Sequence, residues 1–165
     1  MLHAIDPKAL SDNVFSLLDD KWALITAGTA DRCNTMTASW GGLGVLWNKP
    51  TATIYVRPQR HTFAFLENSP TFTLSFFREG RRKELGICGT VSGRDADKFA
   101  LCGFSVAKGV ENAPYIGEAD LVLVCRKRYW NDLDPAHMDE DALACYEAGD
   151  YHRMYIGEIL QVLTR

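Results

Sequence analysis

The sequence predicts a mainly β protein, an antiparallel β-barrel that carries short helices. Short runs rich in β-branched and aromatic residues recur along the chain, each bounded by Gly, Pro, Asn or Asp. These runs lack the regular strand–helix alternation of a parallel doubly wound sheet, because several follow one another directly. The predicted strands cover 22–27, 35–40, 51–56, 71–77, 119–126 and 155–163.

Helices are predicted before and between these strands. Asp6 followed by Pro7 is typical of a helix start, and apolar residues recur after it at Leu10, Val14, Leu17 and Leu18. A short helix over 62–67 is expected to end before an Asn and a Pro. The third predicted helix covers 92–101, because Ser92–Asp95 has the spacing of a capping box and a glycine follows the last turn.

Length and charge limit the possible classes of protein. A chain of 165 residues is typical of a single domain, here 1–165, and its hydrophobic fraction of 47% is ordinary for a globular protein. The net charge of −3 predicts no general attraction to nucleic acid or to an anionic membrane. The N-terminal segment has charges among its apolar residues, so we expect neither a signal peptide nor a membrane span, and a cytoplasmic location.

The cysteines and the missing motifs exclude several kinds of site. The chain has 5 cysteines, an odd number, with no C-x-x-C pair, which argues against a disulfide framework and a zinc ribbon. We therefore expect small apolar core residues in a reducing compartment and no metal. No Rossmann glycine motif, Walker A motif, H-E-x-x-H or G-x-S-x-G is present. Any nucleotide-like cofactor must be held in another way.

The first candidate site is the segment 34–44, a predicted strand followed by glycines. Alternate residues of a strand share a face, so one face carries Thr35, Thr37 and Ser39, and the other carries Met36, Ala38 and Trp40. A row of hydroxyls can bind the polar edge of a ligand, and the glycines permit its close approach. The alternative is a solvated hydroxyl face that leads into a loop.

The second candidate site follows the predicted strand over 51–56. Arg57, Gln59, Arg60, His61 and Thr62 stand directly after that strand and open a short helix. Two guanidinium groups, a hydroxyl and the free N–H groups of a helix start are groups that bind phosphate. A surface turn capped by Thr62 is equally consistent with the sequence.

The third candidate site lies before the predicted helix over 92–101. Hydroxyls and glycines precede that helix, and Arg94 and Lys98 are expected one turn apart on one face. This arrangement suits a phosphate or the polar end of a heterocycle, although a capped surface helix explains it as well. Cys88 has no identifiable base beside it, so we do not expect it to be a nucleophile.

The fourth candidate site is the segment 149–159, where Tyr151 and His152 enter the last predicted strand. Either side chain can stack on a planar cofactor or guide a hydride donor. A lone histidine is more often structural than catalytic, so the segment alone decides nothing.

Together these four segments resemble the flavin reductase-like family with the FMN-binding split-barrel fold, and within it the flavoredoxin-type branch. The likeness extends from about residue 22 to the C-terminus. It implies a six-stranded antiparallel Greek-key split barrel that forms a homodimer, with non-covalent FMN at the interface.

The resemblance also implies roles for individual residues. Thr37, Ala38 and Ser39 would contact the flavin ring, Arg57, Arg60, His61 and Thr62 would serve the ribityl-phosphate end, and Ser92 and Lys98 would add contacts. His152, the single catalytic candidate, matches a late histidine on the nicotinamide side, although Tyr151 is inserted where many members run Gly-Asp-His. The expected cofactor contacts are Thr35, Met36, Thr37, Ala38, Ser39, Trp40, Arg57, Gln59, Arg60, His61, Thr62, Cys88, Gly89, Thr90, Ser92, Lys98 and Tyr151.

The function that this resemblance implies is an FMN-binding oxidoreductase that passes electrons from NAD(P)H to an acceptor. A second hypothesis is a non-enzymatic flavoredoxin-like electron carrier, in which fixed FMN exchanges electrons with protein partners. A third is a ligand-binding barrel without a redox role.

Overall fold

The computed structural model describes all residues from 1 to 165, and ten strands form most of its regular structure. The main sheet has eight strands: β1 (His3–Ile5), β2 (Ala23–Thr29), β3 (Arg32–Ala38), β4 (Gly41–Leu46), β5 (Lys49–Val56), β6 (Thr71–Phe76), β9 (Leu121–Asp132) and β10 (Arg153–Thr164). A separate hairpin pairs β7 (Val106–Lys108) with β8 (Pro114–Ile116). The mainly β, antiparallel class predicted from the sequence is confirmed.

The strand order explains how the sheet closes. The order is β3-β2-β6-β9-β10-β5-β4, every pairing is antiparallel, and β1 adds to the end of β10. The two edge strands β3 and β4 follow each other in the chain, separated only by Ser39 and Trp40, yet they are not hydrogen-bonded to each other. The sheet therefore curls into a barrel that stays open between its two edge strands, β3 and β4.

The main sheet has more strands than the six expected, chiefly because β4 was not predicted. The segment 41–46 is rich in glycine, which strand patterns disfavour, so the sequence indicated a loop there. Trp47 and Asn48 connect β4 to β5 with φ values of 52° and 59°. Two consecutive left-handed residues form the tight turn that best suits a two-residue hairpin.

The chain has four α-helices: α1 (His61–Glu67), α2 (Arg82–Thr90), α3 (Lys98–Cys102) and α4 (Glu140–Leu143). The helix predicted over 62–67 is confirmed as α1. None of the helices combines the length and the apolar character that a bilayer crossing requires.

Two of the three predicted helices are wrong in extent, and α2 was not predicted. The N-terminal helix is replaced by a 3-10 turn at Pro7–Ala9 and a π-helical segment at Ser16–Lys21, although Asp6 does cap the first turn by accepting from the Lys8 N–H. The helix expected over 92–101 begins only after Asp97. The Asp97 carboxylate accepts from the N–H groups of Phe99 and Ala100 and so competes successfully with Ser92 as the cap.

The core has two layers. The barrel interior holds one cluster, in which Phe72, Leu74 and Tyr155 are almost completely buried. A second cluster packs α2 and α3 against the outside of the sheet through Leu24, Leu85, Cys88, Cys102 and Phe104. This outer layer places the C-terminal end of α2 beside β3, where the candidate site begins.

Candidate functional site

A cleft of about 210 Å³ opens at the split between β3 and β4. It is lined by 9 residues, namely Met36, Thr37, Ala38, Ser39, Trp40, Tyr55, Arg57, Arg60 and His152. All except Tyr55 were among the predicted site residues, His152 as the catalytic candidate and the others as cofactor contacts. Three of the four candidate segments therefore contribute to one cavity, although more than a hundred residues separate the first from the last in sequence.

The edge of β3 supplies backbone donors and acceptors to this cleft. In an antiparallel strand, the N–H and C=O of one residue point to the same side, and successive residues alternate. The Thr35 carbonyl accepts from the Lys98 ammonium rather than from β2, so Thr35 and Thr37 direct their backbone groups away from the sheet. Thr37 lines the cleft, and its backbone can therefore hydrogen-bond the polar edge of a heterocycle there.

The C-terminal end of α2 is held by two cations. The Lys98 Nζ donates to the carbonyls of Thr35 and Cys88 at 2.8 and 2.9 Å, and Arg60 donates to those of Gly89 and Cys88 at 3.1 and 3.4 Å. Positive groups at a helix C-terminus satisfy its free carbonyls and oppose its dipole. Burial and the Arg60 charge lower the pKa of Lys98 to about 8.

Arg57 and Gln59 hold the segment between β9 and β10 against the barrel. Arg57 donates to the Asp150 carboxylate at 2.7 Å and to the Cys145 carbonyl at 3.1 Å, and Gln59 donates to the same carboxylate at 2.6 Å. These hydrogen bonds lower the pKa of Asp150. The contacts bring the chain before β10 across the end of β5, and His152 reaches the cleft as a result.

His152 lies among aromatic rings at the mouth of the cleft. The Tyr146 hydroxyl lies 2.7 Å from its Nδ1, and its ring centroid is 5.2 Å from that of Trp40. Burial lowers the pKa of His152 to about 4, the Arg57 charge adds to the shift, and the Asp150 charge opposes it. The imidazole is therefore neutral near pH 7.

A basic region lies at the other end of the site, formed by Arg60, His61 and Arg94. Arg94 donates to the Gln59 carbonyl at 3.0 Å, which brings its guanidinium to the turn that precedes α1. Gly93 packs so closely here that a Cβ on it would lie 2.9 Å from the His61 ring and 2.2 Å from the Asn34 side chain. Burial lowers the pKa of His61, and the nearby Arg94, Lys98 and Arg32 charges lower it further.

Several expected contacts lie outside the cleft. Thr35, Thr62, Cys88 and Lys98 are buried. The Thr62 hydroxyl accepts from the Asn34 amide, and the Thr90 hydroxyl donates to the Gly86 carbonyl within α2. Arg94 and Lys98 do not share a helix face, because α3 begins only at Lys98. Gln59, His61, Gly89, Ser92 and Tyr151 surround the site without lining the cleft.

Tyr55, Tyr146 and Asp150 belong to the site but were not predicted from the sequence. Tyr55 could have been found, because it occupies an alternate position on β5 just before Arg57. Tyr146 lies in a segment without strand or helix periodicity, and only the fold brings it to His152. Burial raises the pKa of the Cys88 thiol to about 12, so the thiol is protonated near pH 7.

Comparison with known proteins connects this geometry to a family. The sequence model of the family described as "Flavin reductase like domain" matches residues 16–165. A comparison with curated protein sequences gives no significant match.

Solved structures with the same fold include flavin-binding proteins. Flavoredoxin of Desulfovibrio vulgaris (Miyazaki F) has a TM-score of 0.69 and 23% identity, over 88% of this chain and 69% of that chain. An FMN-binding domain of a flavin reductases-like enzyme from Shewanella baltica has a TM-score of 0.71 and 17% identity, over 99% of this chain and 77% of that chain. An NADH:FAD oxidoreductase of Streptomyces globisporus, solved with NAD and FAD fragments, has a TM-score of 0.63 and 24% identity, over 86% of this chain and 73% of that chain. At these identities the likeness establishes the fold.

Proposed function

Because this chain belongs to the flavin reductase-like domain family, we propose that it is an FMN-binding oxidoreductase that takes electrons from NAD(P)H and passes them to an acceptor. The observation that carries the proposal is the convergence of Met36–Trp40, Arg57, Arg60 and His152 on one cleft at the split of the barrel. Residues from distant parts of the chain meet there, as expected for a ligand site.

The groups around the cleft fit a planar heterocycle with an anionic tail. Thr37 offers backbone hydrogen-bonding groups at the open edge of β3, and Ser39 has a hydroxyl without a partner in the protein. The basic region of Arg60, His61 and Arg94 lies at one end, where a phosphate would find positive charge. Met36 and Trp40 supply apolar surface for a ring.

In this proposal, FMN supplies the hydride and electron chemistry when it is bound. The protein binds and orients it: β3 holds the polar edge of the ring, and the basic region holds the phosphate. Trp40 and Tyr55 restrict water at the mouth, and His152 presents a neutral imidazole to the side from which a nicotinamide would approach.

We further propose that two copies of the chain form the complete site. A groove of about 750 Å³ adjoins the cleft through Ser39, Trp40 and Tyr55, and its other walls are mainly apolar. Phe15 on its rim is 86% exposed. Apolar surface of this kind marks an interaction site. Phe15→Ser is expected to shift a dimer to monomer in sedimentation experiments, whereas Leu101→Ser, at an exposed apolar site on α3, is expected to leave it unchanged.

The binding test is an FMN titration followed by flavin fluorescence. Ser39→Tyr places a large ring in the cleft and is expected to weaken FMN binding at least about tenfold. Ser11→Tyr, at an exposed position away from the cleft, is the matched control. Equal affinity of both variants would place FMN elsewhere and overturn the proposal.

The activity test is the oxidation of NADH and NADPH by the FMN-loaded protein, with free flavin or ferricyanide as the acceptor. Turnover with either nicotinamide supports the enzyme. Tight FMN retention with rapid reduction by a redox protein, and none by nicotinamides, would instead support the electron carrier that the sequence left as the second hypothesis.

A further inference from the structure

Tyr146 and His152 form a buried pair at the mouth of the cleft. The Tyr146 hydroxyl oxygen lies 2.7 Å from His152 Nδ1, and both residues are 8% exposed. The two residues belong to the segment between β9 and β10, which Arg57 and Gln59 tether through Asp150. The pair is therefore fixed to the barrel rather than carried on a free loop.

The His152 ring is held on several sides. Trp40, Tyr55 and Tyr146 place their ring centroids 5.2, 6.5 and 5.4 Å from that of the imidazole. Arg57 in turn lies 5.3 Å from the centre of the Tyr146 ring and supports it from behind. This packing leaves the orientation of the imidazole little freedom, so its two nitrogens have different surroundings.

The hydrogen-bond inventory decides which nitrogen carries the proton. The Tyr146 hydroxyl has no acceptor within the protein other than His152 Nδ1, so the arrangement that satisfies it is donation to an unprotonated Nδ1. The opposite arrangement would leave the buried phenol hydrogen without an acceptor. His152 Nε2 has no partner in the chain, and no buried side-chain nitrogen or oxygen is unpaired, so Nε2 is open to the cleft.

The charge state agrees with this assignment. The charged groups facing His152 are Arg57 at the end of β5 and Asp150 on its own segment, and their effects on its pKa oppose each other. Burial dominates and keeps the imidazole neutral, and burial also raises the pKa of the Tyr146 hydroxyl. The phenol thus keeps its proton and the imidazole stays uncharged, as a hydrogen bond from the phenol to Nδ1 requires.

We infer that Tyr146 is a positioning residue that holds His152 as the Nε2–H tautomer, so that His152 donates a hydrogen bond to an uncharged carbonyl acceptor in the cleft. The carboxamide oxygen of a nicotinamide donor has this chemistry. The identity of that acceptor rests on the proposed function, whereas the tautomer and its dependence on Tyr146 do not.

The first experiment measures the tautomer in the protein without flavin, by long-range ¹H–¹⁵N NMR of the histidine rings. We expect protonated Nε2 and unprotonated Nδ1 for His152, and a mixture of tautomers in Tyr146→Phe. Tyr151→Phe is the matched control, because the Tyr151 ring packs on Tyr146 and makes no hydrogen bond to His152. An Nδ1–H tautomer in the native protein, or an unchanged spectrum in Tyr146→Phe, would overturn the inference.

The second experiment separates positioning from folding in the FMN-loaded protein. Tyr146→Phe is expected to raise KM for the nicotinamide about five- to tenfold, with a smaller change in kcat, as expected for one lost hydrogen bond. Gln carries an amide N–H near the position of Nε2, so His152→Gln is expected to keep more affinity for the nicotinamide than His152→Leu. Adding Tyr146→Phe to His152→Gln should then leave KM for the nicotinamide unchanged. A further rise in KM would contradict the positioning role of Tyr146.

The two experiments fail independently. If neither nicotinamide is oxidised but the NMR result holds, the proposed donor is wrong and the positioning of His152 stands. If turnover occurs and the tautomer does not depend on Tyr146, the proposed function stands and this inference falls.

Discussion

The Lys98 ammonium lies 2.8 Å from the carbonyl oxygen of Thr35, and this bond joins α3 to the exposed edge of β3. The same ammonium donates to Cys88 at the end of α2, so one buried side chain connects three elements around the site. Lys98 thus shapes the wall of the cleft from behind.

Lys98→Met is therefore expected to destabilise the fold and also to affect FMN binding. The substitution keeps the apolar stem but leaves two buried carbonyls without their donor, so the free energy of unfolding should fall by roughly 2–4 kcal/mol. Urea denaturation measures the change. Lys108→Met, at an exposed position on β7, is the control and should change stability by less than about 0.5 kcal/mol. Similar stability of the two variants would contradict a structural role for the buried ammonium.

Asp150→Ala is expected to loosen the segment between β9 and β10. The carboxylate accepts from both Arg57 and Gln59, and its loss removes the tether while the barrel core is untouched. Hydrogen exchange of the amides from 145 to 151 should become faster, and exchange in β6 should not change. Glu147→Ala, on the same segment but without such contacts, is the control. Exchange that stays equally slow would show that other contacts hold the segment.

Gly93→Ala and Gly86→Ala are expected to have opposite effects. A Cβ at Gly93 would overlap the Asn34 side chain and press on the His61 ring, so stability should fall by about 1–3 kcal/mol and FMN should bind more weakly. A Cβ at Gly86 meets nothing within 4 Å, and alanine is the better helix former inside α2, so stability should rise by about 0.5–1 kcal/mol. Thermal unfolding and flavin titration measure both. Tolerance of Ala at Gly93 would mean that this turn is less closely packed.

The thiols are expected to react in a fixed order with an aromatic disulfide reagent. Cys145 is exposed, Cys33 is half-buried, and Cys88, Cys102 and Cys125 are buried. Burial raises the pKa of Cys33 to about 11 and that of Cys88 to about 12. One thiol should react rapidly in the native protein, and Cys145→Ser should abolish that phase. Denaturant should make all of them reactive. A rapid phase that persists in Cys145→Ser would show that Cys33 or a buried thiol is more accessible than the structure indicates.

The stability of the protein is expected to fall as the pH decreases from about 6.5 to about 4. Folding lowers the pKa of His152 from 6.5 to about 4, so the unfolded chain binds a proton in this interval that the folded protein does not. His152→Gln should flatten the pH dependence of the unfolding free energy, although not completely, because the pKa of His61 is lowered as well. An identical slope in His152→Gln would show that the histidine does not titrate with folding.

The sequence predicted the residues that line the cleft better than the residues that pack around it. Met36 to Trp40 were found because their segment resembles the flavin-contacting strand of the family, and Arg57 and Arg60 because they follow a strand directly. Lys98 was expected to contact the cofactor from a helix face and is instead buried against the carbonyls of Thr35 and Cys88, because Asp97 displaces Ser92 as the cap and shifts the helix start. Local sequence patterns do not show which of two possible capping residues, Ser92 or Asp97, begins the helix.

Other features depend on contacts that no local pattern encodes. The β4 strand is glycine-rich and exists through its pairing with β5. Tyr146 has no periodic context, and its segment is tethered by the Arg57–Asp150 ion pair, which joins residues far apart in sequence. Tertiary packing decides such positions, and a single sequence gives little information about it.

The place of β10 in the sheet has a consequence for biosynthesis. β10 lies between β9 and β5, so the β4–β5 hairpin, complete at Val56, finds its second neighbour only when Arg153 and the residues after it have left the ribosome. Until then, the nascent chain displays the unpaired edge of β5 together with its apolar face. Truncation before β10 should therefore yield a chain that engages chaperones or aggregates, and not a smaller folded barrel.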